Sequence, residues 1–416
     1  MISLKYVRSM HYLSFLVPFL SVTCLFSTDW PNYGGPNRDQ TSIEDGLKVN
    51  WGNSDPKVSW ELEIGLGYSS VVVSEGYAYS QGNSDGRNTL YCVKVENGEI
   101  IWKHSFPCEK DPKYFDGGSR STPTIGENKI FICSHEGDLY ALESKTGKIK
   151  WTKNLKIDFE GRRPTWGYSG SPLYHDGKLI LETGSANGSL VCLNANTGDL
   201  LWKNGDSEAG YASPMFYGDD KNKILIFNQF GAIIHNTLDG EVKAKYQHKT
   251  RYGINAAQPL ILGDRILLSS AYGKGAALVD FNRRYPSSIW ESESFSCQMA
   301  SLVRLGNHAY GIHGQAGGKS NQSKFFCVDL NNGKEKWSQK GFGLGTVILV
   351  RDVLVVLSDR GELSLIEANP NKFNNLFSVQ VLSGTNNWTP PTFVNGKMHC
   401  RSSKGEWVCL DMGSGK

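Results

Sequence analysis

The chain lacks most of the features that mark common functional classes. Its nine cysteines include no adjacent pair and no Cys-x-x-Cys. Basic and acidic residues nearly balance, with a net charge of +3, so no strong basic field indicates nucleic acid binding. No amphipathic helix stands out. Glycine is abundant at 46 residues but follows no Gly-x-y period, which excludes collagen and indicates many tight turns.

Long apolar runs are also missing after the N-terminus, so we expect no membrane span there. Residues 1–28 themselves are typical of a secretory signal peptide, with Lys5 and Arg8 before an apolar stretch from Tyr12 to Phe26. We therefore predict an exported protein of the periplasm or cell envelope. Two alternatives stay open, an uncleaved membrane anchor and a lipid anchor at Cys24, although the residue before Cys24 is not the usual small one.

Four of the nine cysteines occupy equivalent places in a repeated context. One equivalent segment has Ala141 in this place, so the position is predicted to be a small buried strand site rather than a ligand. The four cysteines in this context are Cys92, Cys192, Cys327 and Cys409. Cys400 and Cys409 flank a short turn, and a disulfide between them is one open alternative.

A repeated segment dominates the rest of the chain. Its clear copies contain a strand, a polar turn closed by glycine, and a second strand with Trp four residues after the glycine; they cover 92–102, 141–151, 192–202 and 327–337. Aromatic anchors recur about every 40–50 residues: Trp60, Trp102, Trp151, Trp202, Tyr246, Trp290, Trp337 and Phe377. A second landmark, a small residue before a short apolar strand and then a turn, precedes each copy, as in Ser121-Thr122-Pro123 and Ala212-Ser213-Pro214.

Four short strands in a repeat of this length are typical of a β-propeller. We predict one all-β domain over 47–416, an eight-bladed β-propeller of four-stranded antiparallel blades, or seven blades if the copy around Tyr246 merges with a neighbour. The last repeat, from Trp388, lacks its fourth strand, whereas Lys57–Leu62 lacks the three strands before it. We expect these ends to pair and close the ring. Residues 29–46 are interpreted as a polar lead-in.

The turn-Gly-x-x-x-Trp motif, with Asn-Thr-Gly or Lys-Thr-Gly, resembles the repeat of pyrroloquinoline-quinone (PQQ) enzyme-like β-propellers. The segment 29–39 is similar to the opening of exported bacterial PQQ-like repeat proteins, a group often described as similar to BamB, the propeller lipoprotein of the outer-membrane β-barrel assembly machine. The resemblance implies the fold and leaves the activity open, because the group includes quinone-dependent dehydrogenases and members without known catalysis. The dehydrogenases typically carry a vicinal disulfide above the quinone, and their calcium ligands and catalytic aspartate match no motif here, so none of their residues is carried over.

Short catalytic motifs in the chain are better explained as loops. Residues 82–86 match Gly-x-Ser-x-Gly, but a strand follows where that motif needs a helix. The phosphate-loop pattern at 318–320 lacks its leading glycine, since position 313 is histidine. No histidine pair has the helical spacing of a zinc site.

The loops that lead from each Trp strand to the next blade are rich in arginine and aromatic residues. In a propeller these loops lie on one face, the funnel face, near the central opening. We expect them to bind a planar or anionic ligand or a peptide segment, although each ring could simply pack at the top of its blade. The candidate residues are Asp116, Arg120, Arg163, Trp166, Tyr168, Tyr211, Arg251, Tyr252, Asn255, Gln298 and Trp388.

The sequence favours a non-enzymatic binding or scaffold propeller that binds a protein segment or small ligand at its funnel face. We expect no resident cofactor, no metal and no nucleic acid, and a monomer. One alternative is a quinoprotein oxidoreductase that depends on PQQ and Ca²⁺. Another is a hydrolase or lyase that uses carboxylates such as Asp116 and basic residues such as Arg163.

Overall fold

A computed structural model describes residues 29–52, 54–111, 115–318 and 322–413. The predicted signal peptide and Cys24 lie outside these residues. The described chain is built from 33 strands and one short helix, α1 (Leu155–Asp158). Within these ranges, no helix is long and apolar enough to cross a membrane.

The strands form eight sheets of at least four strands each. The first two strands, β1 (Thr41–Ser42) and β2 (Lys57–Glu63), join the seventh and eighth sheets. Blade 1 contains β3 (Val72–Ser74), β4 (Tyr77–Ser84), β5 (Arg87–Lys94) and β6 (Ile100–Pro107); blade 2 contains β7 (Thr124–Gly126), β8 (Lys129–Cys133), β9 (Asp138–Glu143) and β10 (Ile149–Asn154); blade 3 contains β11 (Leu173–His175), β12 (Lys178–Ser185), β13 (Gly188–Asn194) and β14 (Leu200–Asn204); blade 4 contains β15 (Met215–Tyr217), β16 (Lys223–Phe227), β17 (Gly231–Asn236) and β18 (Val242–Gln247).

The second half of the ring repeats this order. Blade 5 contains β19 (Leu260–Leu262), β20 (Arg265–Ser270), β21 (Gly275–Asp280) and β22 (Ser287–Ser292); blade 6 contains β23 (Val303–Leu305), β24 (His308–His313), β25 (Lys324–Asp329) and β26 (Glu335–Gln339); blade 7 contains β27 (Thr346–Val350), β28 (Val353–Leu357), β29 (Glu362–Glu367) and β30 (Asn375–Gln380); blade 8 contains β31 (Thr392–Val394), β32 (Lys397–Arg401) and β33 (Glu406–Asp411). The eight-bladed prediction is confirmed, and the seven-bladed alternative is wrong because the copy around Tyr246 forms blade 4.

The ring closes through its two ends. Strand β2 pairs antiparallel with β33 and supplies the outermost strand of blade 8, with Trp60 opposite Cys409. The same pairing of an anchor with the third strand recurs elsewhere, for example Trp102 with Cys92. The predicted joining of the termini is therefore confirmed, and it covers the open edges of a linear array.

Each anchor tryptophan fastens its blade to the next one. The indole of Trp60 donates a hydrogen bond to the backbone carbonyl of Val95 in blade 1, and its ring packs against Gly98. The same bond joins Trp102 to Ser144, Trp151 to Ala195, Trp202 to Thr237, Trp290 to Leu330, and Trp337 to Asn369. The two non-tryptophan anchors differ: Tyr246 bonds Glu291, and Phe377 lies 6.0 Å from Trp51. Apolar clusters fill the space between blades, so the core is a ring of interfaces.

The second sequence landmark has a separate role near the central shaft. In consecutive blades, the side chain of the landmark residue accepts a hydrogen bond from a backbone N–H of the preceding blade. The series runs from Ser70 to Thr122, Thr122 to Ser171, Ser171 to Ser213, Ser213 to Gln258 and Gln258 to Ser301, at 2.7–3.1 Å. These bonds satisfy backbone donors that the short inner strands leave buried.

The lead-in at 29–46 crosses the shaft on the side opposite the funnel face. Trp30 pairs with Val73 of blade 1, and Tyr33 is hydrogen-bonded to Ser301 beside blade 6. The Arg38 side chain, 2% exposed, donates to carbonyls beside blade 3, whereas β1 pairs with β27 of blade 7. Since blades 3 and 7 lie opposite each other in a ring of eight, the segment spans the shaft.

Cys400 and Cys409 are both free thiols, so the disulfide alternative is wrong. Cys400 is opposite Val408 in the sheet, one position away from Cys409. Side chains alternate along a strand, and the two thiols therefore point to opposite faces of blade 8. Cys400 packs in the cluster towards blade 7, and Cys409 packs with Trp60 and Trp407.

Candidate functional site

The funnel face carries a dense network of ion pairs between blades 2 and 3. Arg163 contacts Asp111 and pairs with Glu136 at 2.7 Å. Arg120 reaches the same Asp111 carboxylate at 3.4 Å and donates to the backbone carbonyl of Trp166. Lys156, on helix α1, binds the other oxygen of Glu136 at 2.7 Å. Two carboxylates thus face three cations, and the network is satisfied from within the chain.

Local sequence explains how this network is positioned. Asn154 caps α1 by accepting from the backbone N–H groups of Lys156 and Ile157, which places Lys156 beside Glu136. Glu136 sits in the turn between β8 and β9, where Gly137 adopts a positive φ of 93°.

Electrostatics of the network disfavour acid–base chemistry. Burial and the neighbouring Arg120 lower the pKa of His135 to about 4, so its imidazole is neutral near pH 7. The pKa of Asp111 is also lowered: burial opposes ionisation, but the hydrogen bond and charge of Arg163 outweigh it. Burial raises the pKa of the Cys108 thiol to about 12, which removes it as a nucleophile.

Asp111, His135 and Glu136 bring ligand atoms within 4.8 Å of one another. Both carboxylates already contact guanidinium or ammonium groups, and Arg163 lies against both of them. Ca²⁺ prefers six to eight oxygen ligands and would meet three cations here. This donor set does not fit the calcium ion that the quinoprotein alternative requires.

A second group on the funnel face is aromatic and lies between blades 8 and 1. Trp388 stacks on Tyr68 with ring centres 5.4 Å apart, and Phe115 meets Trp388 edge-on at 4.8 Å. Asp116 beside them pairs with Lys404 at 2.6 Å. Burial raises the pKa of Tyr68 to about 12, and the Asp116 carboxylate adds to this shift.

A third group lies at blades 4 to 6. Arg251 stands over the ring of Tyr252 at 5.3 Å, and Tyr252 meets Tyr272 edge-on at 5.0 Å. Gln298 donates to the Tyr272 hydroxyl at 2.9 Å and accepts from the Ala316 backbone.

The candidate residues from sequence therefore separate into three groups and two structural positions. Trp166 and Tyr211 join the ion-pair network, with their rings 6.0 Å apart. Tyr168 is buried and donates to the Thr183 carbonyl, and buried Asn255 donates to the carbonyls of Asn228 and His248. Tyr168 and Asn255 therefore have a structural role, since these hydrogen bonds hold the inter-blade loops in place. Asp116 and Arg163, named together in the hydrolase alternative, have different partners in different groups.

Sequence reasoning did not select several residues that the structure adds: Tyr68, Asp111, His135, Glu136, Lys156 and Tyr272. His135, Glu136 and Tyr272 lie in turns between the second and third strands of their blades, whereas the sequence prediction placed the site in the inter-blade loops alone. The turn positions could have been found by applying the four-strand register to every repeat.

The comparisons with known proteins agree with this architecture. A family model described as "Outer membrane protein assembly factor BamB" matches residues 86–339. The chain belongs to this family. The BamB protein of Shewanella oneidensis is 24% identical over 385 residues, which is 86% of this chain and 89% of that protein. The solved BamB of Moraxella catarrhalis superposes with a TM-score of 0.62 at 15% identity, covering 86% of this chain and 98% of that one.

Quinoproteins share the fold with this BamB-family chain, but their sequence similarity covers a shorter stretch. A quinoprotein ethanol dehydrogenase of Pseudomonas aeruginosa is 31% identical over 145 residues, 32% of this chain but only 22% of the dehydrogenase. The quinohemoprotein alcohol dehydrogenase of Comamonas testosteroni superposes with a TM-score of 0.68 at 14% identity, covering 94% of this chain and 81% of that one. At this identity the structural likeness shows the fold alone.

Proposed function

We propose that this chain is an exported, non-enzymatic scaffold of the cell envelope that binds a segment of a partner protein at its funnel face. The observation that carries the proposal is the extent of similarity to proteins named as outer membrane protein assembly factors, which spans 86% of this chain and 89% of the relative. The quinoprotein match covers about a fifth of its relative, 22%. Whole-length similarity supports a shared role better than a shared set of repeats does.

The funnel face supports binding rather than turnover. The carboxylates of Asp111, Glu136 and Asp116 are held by cations, and the His135 imidazole beside them is neutral. A general base must be free to reach a substrate proton. Half-buried rings and paired charges on the braced inter-blade loops and turns instead provide a preformed surface for a protein segment.

We further propose that the chain works without PQQ, Ca²⁺ or another resident cofactor. The proposal is supported by the poor fit of the Asp111 site to calcium and by the absence of adjacent cysteines from the sequence. Titration of the purified protein with PQQ and Ca²⁺ is expected to give no stoichiometric absorbance change and no dye-linked alcohol oxidation. Either signal would establish the quinoprotein alternative.

Crosslinking in intact cells tests the scaffold. A tagged full-length chain is treated with a lysine-reactive crosslinker, and covalent partners are identified by mass spectrometry. We expect a defined envelope partner, lost from the double variant Arg163→Ala/Trp166→Ala. The control Lys145→Ala/Ile149→Ala changes the same kinds of residue on the opposite rim. Absence of a partner, or its loss from the control instead, would overturn the proposal.

A further inference from the structure

Three cations clustered on the funnel face differ from those of the ion-pair network because they have no carboxylate partner among the residues that the structure describes. We name their surroundings the Tyr252 sector; it consists of Lys249, Arg251, Tyr252, Tyr272 and Lys274. In the described part of the chain, no carboxylate is within ion-pair distance of the Lys249, Arg251 or Lys274 charged groups. Lys249 and Arg251 are exposed, and Lys274 is half-buried.

The sector is contiguous around two tyrosine rings. Arg251 lies over Tyr252, which meets Tyr272 edge-on, while Lys274 is close enough to His248 to lower the pKa of that histidine, although burial is the larger cause. Tyr252 is 53% exposed, among the more exposed aromatic side chains. Two glutamines hold Tyr272 in place. The side chain of Gln298 donates to the Tyr272 hydroxyl, and the side chain of Gln315 accepts from the Tyr272 backbone N–H.

The ion-paired groups on the same face show what these three cations lack. Arg120, Arg163 and Lys156 contact Asp111 or Glu136, and Lys404 contacts Asp116. Three unpaired positive charges beside an exposed ring form a local positive potential, which attracts negative partners and depletes positive ones.

We propose that the Tyr252 sector binds an acidic segment of a partner protein, one in which carboxylates alternate with aromatic or other large side chains. The inference rests on the proposed scaffold function and deepens it by naming the chemistry of the partner. Carboxylates of the segment would pair with Lys249, Arg251 and Lys274, and an aromatic side chain would stack beside Tyr252. Anionic lipid is the competing occupant, but the loop that carries Tyr252 is braced by buried Asn255, and the Tyr272 ring is held by Gln298. Rings and cations held at fixed spacing favour a peptide segment over mobile lipid headgroups.

Binding of a defined probe tests the chemistry directly. A fluorescent peptide of alternating glutamate and tyrosine is titrated with the full-length protein, and the same peptide with glutamine in place of glutamate is the neutral control. We expect the acidic peptide to bind and to weaken as salt rises, and the neutral peptide to bind at least about tenfold more weakly. Equal binding of the two peptides would overturn the inference.

Matched variants locate the site. Lys249→Gln/Arg251→Gln/Lys274→Gln is expected to weaken acidic-peptide binding about tenfold, because each ion pair at or near the surface contributes only modestly. Lys145→Gln/Lys148→Gln/Arg284→Gln removes the same charge from the opposite rim and should leave binding unchanged. Equal loss in both variants would mean a non-specific field and would overturn the inference. Sector-dependent binding to phosphatidylglycerol vesicles without peptide binding would do the same.

The crosslinking experiment separates this inference from the scaffold proposal. If a partner is captured equally by the wild-type chain and the sector variant, the inference fails and the scaffold stands. If the peptide binds through the sector but no envelope partner is captured, the chemistry of the sector stands and the scaffold fails.

Discussion

The indole N–H of Trp60 lies 2.8 Å from the backbone carbonyl of Val95 and joins the last blade of the ring to the first. Trp60 belongs to β2, the strand donated by the N-terminal region to blade 8. Its ring also meets Trp407 edge-on at 5.2 Å. One side chain therefore contributes both to the blade that the termini share and to the interface that closes the ring.

Trp60→Ala is expected to reduce the free energy of unfolding by about 3–5 kcal/mol, because a nearly buried indole leaves a cavity and the Val95 carbonyl loses its donor. Urea denaturation followed by circular dichroism measures the change. Ile100→Ala, at a 43% exposed position on β6, is the control and should cost less than about 1 kcal/mol. Similar losses in the two variants would contradict the closing role.

Gly98→Ala is expected to destabilise the chain by about 2–4 kcal/mol. The φ of Gly98 is +76°, and an added Cβ would come within 2.7 Å of the Trp60 ring. Gly177→Ala offers a matched control, since its φ is +71° but its Cβ would meet open space. The control isolates the backbone cost of about 1 kcal/mol, and the difference measures the Trp60 contact. Equal destabilisation of the two variants would show that the Trp60 side chain adjusts to the added Cβ without cost.

Arg38→Ala is expected to loosen the segment that crosses the shaft. The side chain is buried and donates to the carbonyls of Ser171 and Pro172. In the variant the Ser171 carbonyl would lose this donor, whereas the Pro172 carbonyl would keep only the Thr124 hydroxyl. We expect a loss of about 2–4 kcal/mol and faster proteolysis after residue 29, detected by mass spectrometry of the fragments. Exposed Arg304→Ala is the control. Unchanged cleavage in Arg38→Ala would show that the segment is held by its other contacts alone.

His399 gives the fold a dependence on acid. It is buried between Trp60 and Trp407, and this burial lowers its pKa from 6.5 to about 3. The unfolded chain therefore takes up this proton first as the pH falls. The stability that neutral His399 contributes is complete above about pH 6.5 and is lost progressively towards pH 3.

His399→Phe should consequently flatten the decline in unfolding free energy between these two pH values by a few kcal/mol. The measurement is urea denaturation at several pH values, and the slope is read rather than the absolute stability, so that a packing change in the variant does not obscure it. His308→Gln, at a half-exposed site, is the control. An unchanged slope for His399→Phe would mean that other groups carry the acid response.

The repeat predicted most of the architecture because the same packing contact between neighbouring blades recurs in each copy. Trp102 and Trp151 follow a turn glycine at fixed spacing, since the ring of one blade must pack on the glycine of the next. The closing pair of β2 and β33 could be predicted for the same reason, as a missing strand at one end matched a surplus strand at the other. The copy around Tyr246 was harder to assign because its anchor is not a tryptophan. The Tyr246 hydroxyl bonds Glu291 instead of a turn carbonyl.

The funnel face was predicted less completely because its contacts join distant, non-repeated segments. The sequence singled out Arg120 and Arg163 but not their shared partner Asp111, which is 52 residues from Arg163. Nothing in residues 29–46 indicates that Arg38 lies buried beside Pro172, more than a hundred positions away. Such pairings depend on the assembled ring and leave no local pattern.

The shared eighth blade also sets an order of events during synthesis. Residues 57–63 leave the ribosome early, yet the strand they pair with is 406–411, so they wait unpaired until nearly the whole chain has emerged. Six of the other sheets need only neighbouring sequence, whereas blade 7 also takes β1 from the N-terminal region. Ring closure is therefore a late, long-range step. Until it occurs, the nascent chain exposes two unpaired strand edges to the chaperones around it.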